Sequence, residues 1–246
     1  MEKVLERDGK VMLLAYDQGF EHGPVDFDKR NANPAYIMDI ATKGNYTGVV
    51  FQEGVAAKYY DLNSKVPLVM KLNGKTSFQG DEPLSLQLCS IEKAIKLGAK
   101  AVGYTIYVGS EHEERMMAEF SRIEDEAHEA GLPVIGWMYP RGKKVAGKEN
   151  SKDIVAYAAR LGMELNCDYV KVPYTGDSGS FRWVVEVAGK TKVLVQGGKK
   201  MSWNELSGEV KGALEAGAAG IAIGRNVWQA EDAYQVSAGL ERIIFE

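Results

Sequence analysis

One arrangement recurs along the whole chain: a short apolar run, then a segment long enough for a helix, then the next apolar run. Eight such runs occur, at 11–17, 47–52, 67–73, 101–107, 133–139, 169–173, 192–196 and 220–224. Runs of this length, rich in Val, Ile, Leu and Tyr, read as strands covered on both faces, and helical crossovers make neighbouring strands parallel. Eight strand-helix units in 246 residues, 45% of them hydrophobic, match a (β/α)8 TIM barrel, an α/β fold built as a single domain over 1–246. An open, doubly wound sheet of eight parallel strands is the rival. Count, length and even spacing favour the barrel.

Helix signals separate the runs. Ser110-Glu111-His112-Glu113 and Ser202-Trp203-Asn204-Glu205 have the spacing of a capping box, in which side chains satisfy the first free backbone N–H groups of a helix. Met116, Phe120, Ile123 and Ala127 share one face of the fourth helix, and Ile154, Ala158, Leu161 and Leu165 one face of the fifth. Gly98, Gly131 and Gly217 stand where a helix ends and a strand follows. Two polar stretches, 74–83 and 141–150, are long for connections of this kind and read as candidate lids.

Charge narrows the partners. A net charge of -4 argues against general affinity for nucleic acid or an anionic membrane, and points to a small-molecule partner. The first ten residues lack the apolar core of a signal peptide, and nowhere do eighteen apolar residues run together, so a cytoplasmic location is expected. Cys89 and Cys167 are the only cysteines; both fall in helical patterns, outside any C-x-x-C pair, and read as buried free thiols.

Lys171 sits in the middle of Asp168-Tyr169-Val170-Lys171-Val172-Pro173-Tyr174, where a buried ammonium loses much of its hydration. Desolvation favours the neutral amine, a nucleophile whose natural target is a ketone or aldehyde. The bland alternative is a strand-end lysine that reaches solvent or pairs with Asp168 or Asp177.

In a barrel, chemistry collects at the C-terminal ends of the strands. The polar residues there are Asp17, Gln18 and His22 after the first strand, Lys71 on the third, Trp137, Tyr139 and Arg141 at the fifth, and Lys171 on the sixth. Trp137, Tyr139 and Arg141 are spaced by two, so they share one strand face, which in a barrel can be the lumen. Gly197-Gly198-Lys199 and Gly224-Arg225 place close-approach glycines and cations after the last two strands, where barrels commonly hold phosphate. Asn226-Val227-Trp228-Gln229 reads as an accompanying short helix. Tyr139 and Asp17 are the candidates for proton transfer, Tyr139 on condition that cations such as Lys171 lower its pKa. Each has an ordinary alternative: a satisfied core tyrosine, and a cap for the turn at 19–23. Lys71 is open among three roles: repelling Lys171, binding phosphate, or pairing with Asp17.

His112 and His128 read as lying on the solvated face of the fourth helix, and only His22 is near the proposed site, so the histidine cluster of a zinc-dependent aldolase is missing from the sequence. No phosphate-binding Gly-x-x-x-x-Gly-Lys-Ser/Thr loop, nucleophile elbow or strand-associated Gly-x-Gly-x-x-Gly occurs either.

Leu14-Ala15-Tyr16-Asp17-Gln18-Gly19-Phe20-Glu21-His22-Gly23-Pro24, Trp137-Met138-Tyr139-Pro140-Arg141-Gly142, Tyr169-Val170-Lys171-Val172-Pro173-Tyr174 and the two glycine loops together resemble the archaeal-type class I fructose-1,6-bisphosphate aldolases. The resemblance runs from end to end. It implies a (β/α)8 fold, no metal and no cofactor, and reversible cleavage of a phosphorylated sugar in glycolysis and gluconeogenesis. It makes Lys171 the Schiff-base lysine, Tyr139 and Asp17 its catalytic partners, and Trp137 a substrate-side residue. Gly197, Gly198, Gly224 and Arg225 fall at the phosphate of the ketone half, with His22 and Arg141 toward the second phosphate. A homo-oligomer is expected. Relatives that keep the Lys, Tyr and Asp run other reactions: an aminodideoxyheptulosonate synthase-like transaldol step and a thiolase-like step on a phosphorylated signal molecule. Only about ten residues precede the first strand, fewer than the resemblance leads one to expect, which leaves closure of the barrel floor open. Two readings from other classes stand beside this one: a metal-free phosphosugar isomerase or lyase, and a non-catalytic phosphometabolite-binding barrel.

Overall fold

In the computed structural model, which describes residues 4–246, the apolar runs form a closed barrel. Its strands are β1 (Val11–Ala15), β2 (Gly48–Gln52), β3 (Leu68–Lys71), β4 (Ala99–Val108), β5 (Val134–Pro140), β6 (Tyr169–Val172), β7 (Lys192–Gln196) and β8 (Gly220–Ile223). Every neighbouring pair is parallel, and β1 pairs with both β2 and β8. That closure removes the open-sheet alternative. The main outer helices are α1 (Pro34–Lys43), α2 (Glu53–Tyr59), α3 (Ile91–Lys96), α4 (Glu113–Glu129), α5 (Lys152–Glu164), α6 (Ser178–Val187), α7 (Trp203–Glu215) and α8 (Ala233–Phe245). No helix among the described residues is long and apolar enough to cross a membrane.

Alternation along each strand builds two cores. Val11, Leu13, Ala15, Val50, Val69, Ala101, Ile135, Trp137, Leu194 and Ala222 fill the lumen. Met12, Leu14, Phe51, Met70, Val102 and Val170 point outward, against the helices. The floor is closed by the segment before β1: Leu5 is fully buried in the lumen cluster. Beside it the Glu6 carboxylate accepts from the Tyr169 hydroxyl at 2.7 Å and meets Lys192 Nζ at 2.6 Å.

Local signals were only partly reliable. Ser202 and Glu205 form the capping box of α7. The same pattern at Ser110 does not: α4 begins at Glu113, and the Ser110 hydroxyl donates to Pro83 O at 2.8 Å and accepts from His112 N at 3.2 Å. The face read on α4 is buried as expected. On α5 the buried face is rotated to Val155, Ala158, Ala159 and Gly162. Gly162 sets that rotation, because a Cβ there would lie 2.3 Å from Val170 Cγ1, and only a bare backbone can approach β6 so closely. Cys89 and Cys167 are buried free thiols, but both lie in loops rather than helices. His128 is not on a solvated face either. Its ring bridges Glu124 and Asp168, with Nε2 2.9 Å from the Asp168 carboxylate, and the same Asp168 oxygen accepts Val134 N at 2.8 Å.

The two long polar stretches meet over the mouth. The loop at 74–85 joins a small antiparallel pair, Asn73–Gly74 with Leu86–Gln87. Its Glu82 carboxylate accepts from Glu111 N at 2.9 Å and from Lys143 N at 3.1 Å, tying it to the loops after β4 and β5.

Candidate active site

A cavity of about 800 Å³ opens at the C-terminal ends of the strands, lined by residues from every quarter of the barrel. Asp17, His22, Lys71, Tyr139, Arg141, Lys171, Gly197, Gly198, Gly224 and Arg225 all reach it. Trp137 is the one expected site residue that does not. It is buried in the lumen cluster, beneath the cavity.

Its position explains the floor. Lys71 Nζ lies 5.8 Å from the Trp137 ring centroid and Lys171 Nζ lies 5.2 Å from it, so one indole carries both ammonium groups. The strand registers make this possible: Trp137 stands beside Lys171, and Lys71 beside Gly103. A Cβ on Gly103 would fall 2.1 Å from Trp137 Cζ3. The missing side chain on β4 is the space into which the β5 indole leans.

The two lysines differ in their restraints. Lys71 Nζ donates to Asn73 O at 2.9 Å and to Asn73 Oδ1 at 2.6 Å. Asn73 is itself locked: its amide donates to Ser85 O and Thr105 O, and its Oδ1 accepts Thr105 N. Lys171 Nζ has no hydrogen-bond partner among the described residues. The carboxylates offered by the bland reading are occupied, Asp168 by His128 and Asp177 as the N-cap of α6. Burial pulls both lysines down to a pKa of about 8, against the pull of Asp17 and Glu21 in the other direction. An amine in that range is still mostly protonated at neutral pH, but it keeps about a tenth of its molecules neutral, far more than an ordinary lysine, and that fraction is the nucleophile.

Tyr139 departs from expectation. Burial, reinforced by the Asp17 charge, pushes its phenol well above the ordinary value despite Arg141 and Arg225 nearby, so at rest it holds its proton. Its ring centroid is 5.8 Å from Lys171 Nζ. Asp17 caps nothing: the short helix Gly19–His22 starts from Gln18 without a side-chain cap. Nor do Asp17 and Lys71 form an ion pair, since Lys71 turns to Asn73.

Two cationic corners flank the lysine. In one, Arg225 opens a short helix, Arg225–Trp228, one residue earlier than read from sequence. Its guanidinium donates to Gly198 O at 3.3 Å and approaches His22 Nδ1 at 3.3 Å. Asn226 fastens the loop after β7, donating to Lys199 O at 3.0 Å and accepting Met201 N at 2.8 Å. Gly197 and Gly224 are required by crowding: their Cβ atoms would lie 2.5 Å from Ile223 Cγ1 and 2.6 Å from Ala15 O. In the other corner, Arg141 NH1 meets Glu21 Oε2 at 3.2 Å, with the guanidinium over the rings of Tyr107 and Tyr139. Glu21 also accepts the Tyr107 hydroxyl. Although burial opposes it, Arg141 and that hydrogen bond hold the Glu21 carboxyl below its usual range.

Sequence reasoning overlooked several lining residues: Glu21, Gln52, Asn73, Thr105, Glu149, Asn150 and Glu209. Glu21 lay within a motif already singled out, and Glu149 and Asn150 within the candidate lid at 141–150, but none of the three was read as a site residue. Asn73 carries no local signal, because its role comes from β4 and the loop at 85. Among the described residues, no group of three or more His, Cys, Asp or Glu side chains is placed to hold a metal ion.

Comparison with known proteins places this geometry. A family model described as DeoC/LacD family aldolase matches residues 11–230. The chain is 49% identical to a class 1 fructose-bisphosphate aldolase of Thermoproteus tenax, over 99% of this chain and 92% of the relative. It is 42% identical to one from Halobacterium salinarum, over 98% and 93%. A solved archaeal fructose-1,6-bisphosphate aldolase, its catalytic lysine covalently bound to the carbinolamine intermediate of the substrate, superposes with a TM-score of 0.96 at 48% identity, covering 99% of this chain and 97% of that one. The chain therefore belongs to the DeoC/LacD aldolases and, within them, to the class 1 fructose-bisphosphate aldolases.

Proposed function

We propose that the protein cleaves fructose 1,6-bisphosphate reversibly to dihydroxyacetone phosphate and glyceraldehyde 3-phosphate through a Schiff base on Lys171. The observation that carries this reading is the free, buried Lys171 amine facing a cavity with two cationic corners.

The neutral Lys171 amine adds to the C2 carbonyl, and a proton passes from nitrogen to oxygen to give the carbinolamine. Tyr139, held as a phenol, donates its proton to the departing hydroxyl. Water leaves, and the resulting protonated imine is stabilised by the Asp17 carboxylate. The Tyr139 phenolate then takes the C4 hydroxyl proton. As the C3–C4 bond breaks, its electron pair enters the imine to form an enamine, and glyceraldehyde 3-phosphate departs. Protonation at C3 and hydrolysis, with Tyr139 and Asp17 as proton carriers, release dihydroxyacetone phosphate and restore the amine. Gly197, Gly198, Gly224 and Arg225 hold the ketone-half phosphate, with His22 against Arg225 in that same corner instead of beside Arg141 as the resemblance implied, while Arg141 faces the second. Trp137 acts from below, as the platform of Lys171 rather than as a wall of the site. Fixing both ends of the substrate aligns C2 with the amine before reaction.

Borohydride reduction in the presence of dihydroxyacetone phosphate tests the reading. A triose attached to Lys171 is expected; a tag on another residue, or none, overturns it. A barrel working by carboxylate acid–base chemistry alone gives no reducible adduct, and a mere binding protein gives no turnover. Tyr139→Phe should lower kcat by about 10²- to 10⁴-fold, measured by coupled assay of triose phosphate release. A cytoplasmic location follows from the sugar phosphate substrate. Self-association into a homo-oligomer is expected by sedimentation.

A further inference from the structure

The helical turn Gly19–His22 carries two consecutive side chains to two different arginines. Glu21 meets Arg141, which follows β5; His22 meets Arg225, which follows β8. We infer that Glu21 is the positioning residue that sets Arg141 for the second phosphate, so that this turn fixes the spacing between the two anion corners. The inference rests on the reading of the substrate as a sugar bisphosphate.

Three observations carry it. First, Arg141 is held on several sides yet keeps most of its donors free. Glu21 Oε2 engages NH1 at 3.2 Å, and the guanidinium carbon sits 5.7 Å and 5.4 Å from the ring centroids of Tyr107 and Tyr139. A guanidinium has five N–H donors, so one hydrogen bond leaves the rest for an anion. Second, Glu21 is itself anchored. Its other oxygen accepts the hydroxyl of Tyr107, a buried β4 residue, which makes the carboxylate a rigid link from the wall to Arg141. Third, the turn is braced at its base. His22 N donates to Gln18 O at 2.9 Å, Gln229 Nε2 donates to Asp26 O at 2.8 Å, and Phe27 stacks on Tyr16 at 5.3 Å.

A carboxylate beside a phosphate corner would by itself repel the ligand. Here Arg141 and Tyr107 compensate its charge, and the gain is a long side chain that loses little freedom when the anion arrives. Removing Glu21 should therefore weaken selection for the second phosphate instead of strengthening it.

The test is the ratio of kcat/KM for fructose 1,6-bisphosphate to that for fructose 1-phosphate, which lacks the second phosphate. Because Glu21 also supports the charge of Lys171, its loss shifts the pH response with both substrates alike, and the ratio cancels that effect. Glu21→Ala should lower the ratio by about tenfold, mainly through KM of the bisphosphate. Glu21→Gln, whose amide oxygen still accepts from Arg141, should keep most of it, and Tyr107→Phe should lower it to a lesser extent. Glu21→Ala combined with Arg141→Met should lose no more than Arg141→Met alone. An unchanged or increased ratio in Glu21→Ala, or losses that multiply in the double variant, overturns the inference. Borohydride trapping of dihydroxyacetone phosphate on each variant keeps the two claims apart: no adduct on the parent enzyme removes the Schiff-base reading, whereas adducts throughout with an unmoved ratio remove only the role of Glu21.

Discussion

Lys171 is kept reactive at the expense of stability, and pH exposes the trade. Burial lowers its pKa from 10.5 to about 8. Below pH 8 folded and unfolded chains both hold the proton, so the native state bears the full penalty, about 3 kcal/mol for a shift of this size. Between pH 8 and 10.5 the unfolded chain binds more protons, so native stability rises with pH, and above 10.5 the penalty is gone. Lys171→Met should therefore be inactive but more stable than the parent at pH 7, with the difference shrinking toward pH 10; thermal melts at the two pH values measure it. A Met variant that melts lower at pH 7 would mean that the ammonium is compensated by its surroundings. This residue was legible in the sequence because a charge within a Val- and Tyr-rich strand stands out. Tyr139 was legible as a position but not as a state, since the strength of its desolvation depends on how deep the phenol lies. Glu21 was read past: a glutamate in a turn looks like any solvated one until Tyr107 and Arg141 arrive from other strands.

At the level of elements, β4 deserves the closest test. Gly103 is a vacancy that lets the β5 indole support lysines from β3 and β6. Gly103→Ala should cost about 1–3 kcal/mol by overpacking and reduce turnover more than it reduces binding, because displacing Trp137 moves the nucleophile. Denaturant titration and steady-state kinetics give the two numbers; unaltered kcat with lowered stability would restrict Trp137 to packing. The strands themselves were readable to within about two residues, since periodicity persists over each run. Strand β3 ended early, at Lys71, because Asn73 leaves the barrel to pair with Gln87. The face of α5 was misread for a related reason. Apolar spacing marks Leu161 and Leu165, but depth is decided by Gly162, which has no hydrophobic signal at all.

The whole molecule divides labour between its two ends. At the floor, Leu5, Glu6, Tyr169 and Lys192 close the barrel, and His128 links α4 to the start of β6 through Asp168. At the mouth lie the lysines and arginines. Strand β6 serves both, with Asp168 just before it at the floor and Lys171 within it toward the mouth. His128→Ala should accordingly lower stability by about 1–2 kcal/mol while leaving kcat/KM within about twofold; loss of activity in step with loss of stability would show that the floor and the site are coupled.

Glu82 gives the opening a mechanical character. One carboxylate holds the backbone of Glu111 and that of Lys143, and the loop that bears it belongs to neither. Three rim segments thus share one carboxylate, which adds to the Ser110 hydroxyl bond to Pro83 O and the Arg141 N bond to Val108 O. Any one of them that moves away must first give up a hydrogen bond to this carboxylate, so displacement at one point of the rim is felt at the other two.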